Sequence, residues 1–276
     1  MRTRPGPLDD VDLARSLSKH EYEEVLPALQ FKLADRATRA RVSGVSTAVV
    51  FEGWFGSGKG DAIADLTQWL DARGFKVHWI GRQTRHGEAA PWLRRFARRE
   101  PARGQLALFE RSWYLRVTDD LLDGTTTKKD LARLYREIRW FERLWIDGGV
   151  VLVKVFLHLS RGEQKKRVHA RKTDPTGRWV LDRDVRAQLA DHKGYKQAVE
   201  RMLLETHAPG AEWHVIPAED PEVARLEVFQ AVLSAMEARL GQVGALGDAP
   251  KPAPADRARS RAKGARRPRA ARRSGA

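Results

Sequence analysis

The sequence has no cysteine among its 276 residues, which excludes disulfides, zinc–thiolate centres and thiol nucleophiles. It also lacks any apolar run near the roughly 20 residues that a helix needs to cross a bilayer. The first ten residues contain no apolar leader segment. We therefore expect no membrane contact and a cytoplasmic location.

Basic residues are in excess, with 51 Lys and Arg against 36 Asp and Glu and a formal net charge of +15. From Asp248 onward there are ten Lys and Arg and two Asp, so eight of these charges lie near the C terminus. Because the body keeps a basic surplus, we expect an acidic partner such as nucleotide phosphates, polyphosphate or nucleic acid. Residues 241–276 are expected to form a disordered basic tail, which is either inert or an arm that binds polyphosphate or nucleic acid.

The most specific motif follows the apolar run that ends at Phe51. Gly53 is followed by four residues and then by Gly58-Lys59, and this spacing is typical of a phosphate-binding loop. In such a loop, backbone N–H groups surround a phosphate and the lysine supplies a positive charge. The Ser or Thr that usually follows the lysine and holds Mg²⁺ is Gly60. The motif is therefore complete for phosphate and incomplete for metal. The candidate phosphate-binding positions in this loop are Gly53, Gly56, Ser57, Gly58, Lys59 and Gly60.

Short apolar and β-branched runs alternate with helical periodicities along the chain. The runs predict strands over 47–51, 76–80, 105–109, 150–157 and 213–216, while helices are predicted over 8–42, after the loop and over 133–145. This alternation predicts an α/β fold with a parallel five-stranded sheet between layers of helices, preceded by N-terminal helices. We expect one domain over about 21–240 after an N-terminal extension of residues 1–20. Ligands of such sheets bind beyond the carboxyl ends of the strands, where the loop lies.

A second motif lies at the end of the third predicted strand. The apolar run there ends in Glu110 and is followed by Arg111 and Arg116, which resembles a Walker B strand. An acid at this position can hold Mg²⁺, and arginines can bind phosphate oxygens with two hydrogen bonds each. The alternative is a set of surface salt bridges.

A third candidate is the basic segment over about 160–185, which follows the fourth predicted strand. Helical spacing places Arg167 and Arg171 on one face, and Arg178 follows. Phosphoryl transfer depends on charge neutralisation and positioning, so this segment is interpreted as a helical lid over the phosphates. The alternative is a solvated basic face.

Several blocks in the same order resemble the polyphosphate kinase 2 family, which transfers phosphate between inorganic polyphosphate and nucleotides on a P-loop kinase-like fold. The resemblance runs from about Tyr22 to about Glu237. It includes the loop after Phe51, the block 109–114, the helix around 141–143 and the segment 206–218. It implies a phosphotransferase that acts between polyphosphate and AMP, ADP or GDP with Mg²⁺ as cofactor. It also implies association into homo-oligomers.

The resemblance assigns roles to the basic residues of these blocks. It implies that Lys59 contacts the transferred phosphate and that Arg111 and Arg116 bind polyphosphate or nucleotide phosphates. It places Arg167, Arg171 and Arg178 in the lid.

The sequence departs from the family pattern at positions where metal is handled. Phe55 and Glu110 stand where the family usually has Asp, Asp61 replaces Gly, and Leu115 replaces Asn. Phe55 removes a carboxylate, whereas Glu110 only lengthens one. Asp61 is either a replacement metal ligand or an acid at a helix N terminus, stabilised by the helix dipole.

Two other functions fit the same residues. One is a relative that binds polyphosphate, nucleotide or nucleic acid without turnover. The other is an ATP-using kinase of a small metabolite, since a phosphate-binding loop does not specify the donor.

Overall fold

The computed structural model describes residues 6–81, 91–173 and 183–245. The five strands are β1 (Thr47–Gly53), β2 (Phe75–Trp79), β3 (Leu106–Glu110), β4 (Val151–His158) and β5 (Trp213–Pro217). The helices of the described residues are α1 (Lys19–Ser43), α2 (Lys59–Thr67), α3 (Arg94–Ala97), α4 (Asp119–Leu122), α5 (Leu131–Asp147), α6 (Arg161–Thr173), α7 (Arg183–Ala190), α8 (His192–Thr206) and α9 (Pro221–Ala245), with a short 3-10 helix at Trp113–Arg116.

All five strands are parallel and lie in the order β2-β3-β1-β4-β5. Every residue of the central strand β1 is buried, as expected for a parallel strand covered on both faces. Helix α9 packs on α1, α2, β4 and β5, while α5 packs on β4 and α8. The predicted α/β fold with a parallel five-stranded sheet is confirmed. The predicted strands agree with the observed ones to within two residues at each end.

The N-terminal prediction was wrong in one respect, because a single helix is formed and it begins at Lys19 rather than at Leu8. Ser18 caps α1: its Oγ accepts the Glu21 N–H, and the Glu21 carboxylate accepts the Ser18 N–H. Residues 7–10 form turns instead, and the Asp9 carboxylate accepts the Gly6 N–H there. Leu8 is nevertheless buried against the core.

A buried polar network joins the segment after β3 to α5 and β4. The Lys154 ammonium, fully buried on β4, donates to Glu142 Oε2 at 3.0 Å, to Tyr114 Oη at 3.1 Å and to the Thr206 carbonyl at 2.7 Å. Glu142 also accepts from Trp113 Nε1 at 2.9 Å and from the Tyr114 hydroxyl. Burial and the neighbouring Glu142 hold the pKa of Tyr114 well above its usual range, so it stays a donor. The network fixes the chain immediately after Glu110 and Arg111.

Among the described residues, no helix is both long enough and apolar enough to span a bilayer. Of the predicted disordered tail, 241–276, the first five residues form the end of α9 instead, and residues 246–276 lie outside the described residues.

Candidate active site

A cavity of about 480 Å³ lies at the carboxyl ends of β1, β2 and β3. Its walls are the loop between β1 and α2, the ends of the three strands, and residues from α4, α6, α7 and α8. A volume of this size is typical of a small-molecule site. The cavity lies where the parallel sheet and the loop motif predicted a ligand site, beyond the carboxyl ends of the strands.

The loop between β1 and α2 is curled rather than extended. Gly53, Gly56 and Gly58 have φ angles of 147°, 82° and 86°, which other residues rarely adopt. At Gly53 a Cβ would lie 2.6 Å from the Leu157 carbonyl oxygen, so no larger residue fits. The chain then enters α2 at Lys59, which directs the N-terminal N–H groups of that helix at the cavity.

Trp54 anchors the loop from behind. Its buried indole donates to His158 Nδ1 at 2.8 Å and stacks on His192 with ring centroids 4.4 Å apart. Burial lowers the pKa of His158 to about 4, so at neutral pH its ring is uncharged and can accept the indole N–H. These two contacts fix the loop against the last residue of β4 and the first residue of α8.

The Lys59 ammonium folds across the loop. It donates to the carbonyl oxygens of Gly53 at 3.0 Å and Trp54 at 2.9 Å, which uses two of its three N–H donors. Burial and the neighbouring Arg111 guanidinium lower the pKa of Lys59 to about 8, against the opposing effect of Glu110 and other carboxylates. The third N–H has no hydrogen-bond acceptor among the described residues, so it is available to a ligand, and the negative charge of a bound phosphate would favour the protonated ammonium.

Glu52, the residue before Gly53 on β1, is a buried acid to which the sequence assigned no role. Its carboxylate accepts from Ser112 Oγ at 2.7 Å and lines the cavity floor. Burial, with a further contribution from Asp119, raises its pKa to about 7. The sequence pattern that could have identified Glu52 is a single acid in an apolar strand that is buried on both faces, since a charged residue is rarely buried without a function or a partner.

The raised pKa of Glu52 has a measurable effect on stability. The usual pKa of this carboxyl is 4.5, and burial raises it to about 7 in the folded protein. Between these two pH values Glu52 is protonated in the folded protein and ionised in the unfolded chain. As pH rises through this window, the wild type should lose stability relative to a Glu52→Gln variant, up to about 3 kcal/mol. Urea unfolding of both proteins at each end of the window measures the difference. Glu23→Gln, at an exposed position, is the control. If the free energy of unfolding of Glu52→Gln changed with pH in parallel with that of the wild type, the raised pKa of Glu52 would be contradicted.

Glu110 and Arg111 occupy the end of β3, as predicted, and both line the cavity. A Cβ at Gly60 would lie 3.8 Å from Glu110 Oε1, an ordinary van der Waals distance, so the Ser or Thr that is absent here would have been next to this carboxylate. Arg111 has a φ of 62°, the only left-handed non-glycine residue among those described. Such backbone strain is concentrated at functional sites, and here it turns the chain at the cavity edge.

Arg167 holds the loop in place rather than facing open solvent. Its guanidinium donates to the Gly56 carbonyl at 3.0 Å and to the carbonyls of Ala218 at 2.9 Å and Glu219 at 2.7 Å. Its Nε donates to Glu163 at 2.8 Å. These bonds tie α6 to the loop and to the end of β5. A direct contact between Arg167 and phosphate stays a prediction.

The other predicted basic residues differ in their positions. Arg171 is exposed on α6 and lines the cavity, whereas Arg116 pairs with Asp120 at 3.3 Å and does not line it. Arg178 lies outside the described residues, as does part of the predicted lid. Asp61 is exposed in the first turn of α2 at the cavity edge.

Helix α7 contributes two contacts that the sequence did not indicate. Gln188, which is buried, accepts the Phe55 N–H at 3.2 Å and donates to the Asp119 carboxylate at 3.1 Å. One side chain therefore links the loop to α4 at the position where the family usually has Asp. No local pattern identifies Gln188, because the contact spans more than 130 residues of sequence.

The carboxylates of the cavity suit Mg²⁺ by their chemistry. Glu110 and Asp119 line it and supply the hard oxygen donors that this ion prefers, whereas Glu52 keeps its proton up to about pH 7. No group of three or more acidic or histidine ligands with metal-site geometry occurs among residues 6–81, 91–173 and 183–245. Magnesium in phosphoryl-transfer sites is usually held by one or two carboxylates and by substrate phosphates, so the donor set fits.

A parallel sheet of this strand order, with a glycine-rich loop leading from β1 into α2, defines the P-loop kinase class of α/β proteins. The chain belongs to the polyphosphate kinase 2 family, whose sequence model matches residues 16–243.

Known proteins agree with this assignment. The chain is 35% identical over 230 residues to a polyphosphate:AMP phosphotransferase of Pseudomonas syringae pv. tomato, covering 83% of this chain and 46% of that protein. It is 30% identical over 223 residues to a GDP-polyphosphate phosphotransferase of Mycobacterium tuberculosis, covering 81% and 76%. The crystal structure of polyphosphate kinase 2 from Arthrobacter aurescens TC1 superposes with a TM-score of 0.79 at 28% identity, covering 84% and 85%. The chain thus spans about half the length of the Pseudomonas syringae relative.

Proposed function

We propose that the protein transfers a terminal phosphoryl group between inorganic polyphosphate and a nucleoside mono- or diphosphate. The observation that carries this proposal is the cavity itself, in which a curled glycine loop, a half-buried lysine and an arginine face several carboxylates. The relatives' names, which include AMP, ADP and GDP as nucleotides, support the same chemistry.

In the proposed reaction, a terminal phosphate oxygen of the nucleotide attacks the terminal phosphorus of polyphosphate. A P–O bond to the nucleotide forms and the P–O–P bond to the remaining chain breaks, so the polymer is shortened by one phosphate. The loop N–H groups, Lys59 and Arg111 stabilise the negative charge on the transferred group. Arg171 offsets charge on the rest of the polymer. No covalent enzyme intermediate is required.

Mg²⁺ would be held by Glu110 together with substrate phosphates, and it would neutralise charge on the phosphoryl oxygens. We expect Glu110→Gln to raise the Mg²⁺ concentration for half-maximal activity by about tenfold, since one carboxylate ligand is lost. Asp61→Asn should leave this concentration nearly unchanged, because Asp61 is exposed and its charge acts on α2. Titration of both variants with Mg²⁺ is the measurement. If Asp61→Asn shifted the requirement as much as Glu110→Gln, Asp61 would be the metal ligand.

A coupled assay tests the proposed function. It supplies polyphosphate with ADP, AMP or GDP and measures the phosphorylated nucleotide and the shortened polymer. Product with polyphosphate as sole donor is the expected result. Tight polyphosphate binding without product would instead support the binding-only alternative, and product only with ATP as donor would support a small-metabolite kinase.

Three further predictions accompany this proposal. We propose a cytoplasmic location, because the proposed reaction needs a supply of nucleotides. Association into homo-oligomers stays an implication of the family, and binding of polyphosphate or nucleic acid by the basic tail stays a prediction.

A further inference from the structure

Of the described residues that line the cavity, the aromatic ones are Phe55, Trp79 and Tyr195, and Trp79 is the exposed one. Trp79 is the last residue of the edge strand β2, and it lines the same cavity as the phosphate-binding loop. Its side chain is 65% exposed, which is unusual for the largest apolar residue beside a binding site.

The position of Trp79 is fixed by two features. Its Cα pairs with that of Glu110 in the parallel ladder, so it is one strand, or about 4.8 Å, from the acid at the end of β3. Its ring lies over Gly81: a Cβ at that residue would be 2.9 Å from the indole Cη2 and Cζ3 atoms. Glycine at position 81 therefore allows the ring to fold back over the strand end, and the remaining ring surface is exposed.

The charged residues of the cavity lie on elements other than β2. Lys59, Arg111 and Arg171 line it together with the loop N–H groups, and these groups suit the phosphates of both substrates. Polyphosphate has no apolar or aromatic surface, so it gains little from an indole ring. A nucleotide has a flat base attached to its phosphates, and bases stack on exposed aromatic rings with little dependence on base identity.

We infer that Trp79 is the stacking platform for the base of the nucleotide substrate, an inference that rests on the proposed function. The base lies against the exposed indole beyond β2, while the phosphates extend past Glu110 toward Lys59. Stacking does not read the hydrogen-bonding edges of a base. The site should therefore accept adenine and guanine alike and disfavour ribose phosphates that carry no base.

Replacement of Trp79 by alanine tests this inference. We expect the KM for AMP or ADP to rise about tenfold, which is about 1.4 kcal/mol, while the KM for polyphosphate stays within about twofold. Trp79→Phe should keep most of the affinity because a flat ring is retained. Trp140→Ala is the matched control, since Trp140 is 66% exposed on α5 and does not line the cavity.

Calorimetric binding of AMP and ADP separates this inference from the proposed function. If the wild type shows no turnover but Trp79→Ala weakens nucleotide binding about tenfold, the base site stands and the phosphotransferase proposal fails. An unchanged nucleotide KM and Kd in Trp79→Ala would overturn the base site while leaving the activity intact. An equal rise in the KM for polyphosphate would also overturn it, because it would indicate general damage to the cavity.

Discussion

Replacing Lys59 with alanine should lower turnover by about 10³-fold or more, because the transition state loses its central positive charge in a water-poor cavity. Lys59 is half-buried, and among the described residues its ammonium donates to the loop carbonyls of Gly53 and Trp54 alone, so the fold should remain intact. Steady-state turnover with saturating polyphosphate and nucleotide measures the effect, and thermal unfolding verifies the fold.

A matched control and a second variant sharpen this test. Lys166→Ala removes an exposed lysine of α6 that does not line the cavity, and it should retain activity. Lys59→Arg keeps the charge but replaces a compact ammonium by a planar guanidinium, and it should also lose most activity. Near wild-type turnover of Lys59→Ala would refute the assignment of this loop.

The low pKa of Lys59 gives the wild type a pH dependence that the alanine variant lacks. Because the pKa is lowered to about 8, the free enzyme's ammonium loses its proton as pH rises through that value. Polyphosphate binding by the wild type should weaken over this range, whereas that of Lys59→Ala should be weak at every pH.

Replacing Lys154 with methionine should cost about 3–5 kcal/mol of stability, the largest effect on folding that we expect. The substitution leaves Glu142 buried without a cation, while Trp113 and Tyr114 still donate to it. Urea unfolding of the variant and the wild type measures the free energy of unfolding. The double variant Lys154→Met with Glu142→Gln should recover part of the loss, because no buried charge then remains unpaired.

The control for this prediction is Lys19→Met, which breaks an exposed ion pair with Glu23 on α1. Exposed pairs contribute little, so this change should stay within about 0.5 kcal/mol. A Lys154→Met protein as stable as the wild type would show that the buried pair contributes no net stability.

The blocks that carried the family resemblance serve two different purposes in the structure. Gly53, Lys59, Glu110 and Arg111 line the cavity, whereas Trp113, Tyr114 and Glu142 form the buried network behind it. The sequence did not separate these purposes. A motif identifies which residues occur together, and only burial and hydrogen bonding distinguish a residue that faces ligand from one that supports it.

Basic residues were the least predictable part of the site. Helical spacing placed Arg167 and Arg171 on one face, yet Arg167 is bound to backbone carbonyls of the loop and of the end of β5 while Arg171 lines the cavity. Helical spacing predicts the face of the helix on which a side chain lies, but not the groups that the side chain contacts. The carbonyl of Gly56 that engages Arg167 is 111 residues away in sequence.

The sequence by itself determined the strands, the alternation that makes the sheet parallel, and the glycine loop with its lysine, because these depend on local periodicity and on conformations that few residues adopt. The tertiary structure alone decided that Glu52, Asp119, Gln188 and Trp79 share the cavity with that loop. These residues come from separate elements and meet only when the strands assemble side by side. The burial of Glu52, Asp119 and Gln188, and so the raised pKa of Glu52, follows from that assembly.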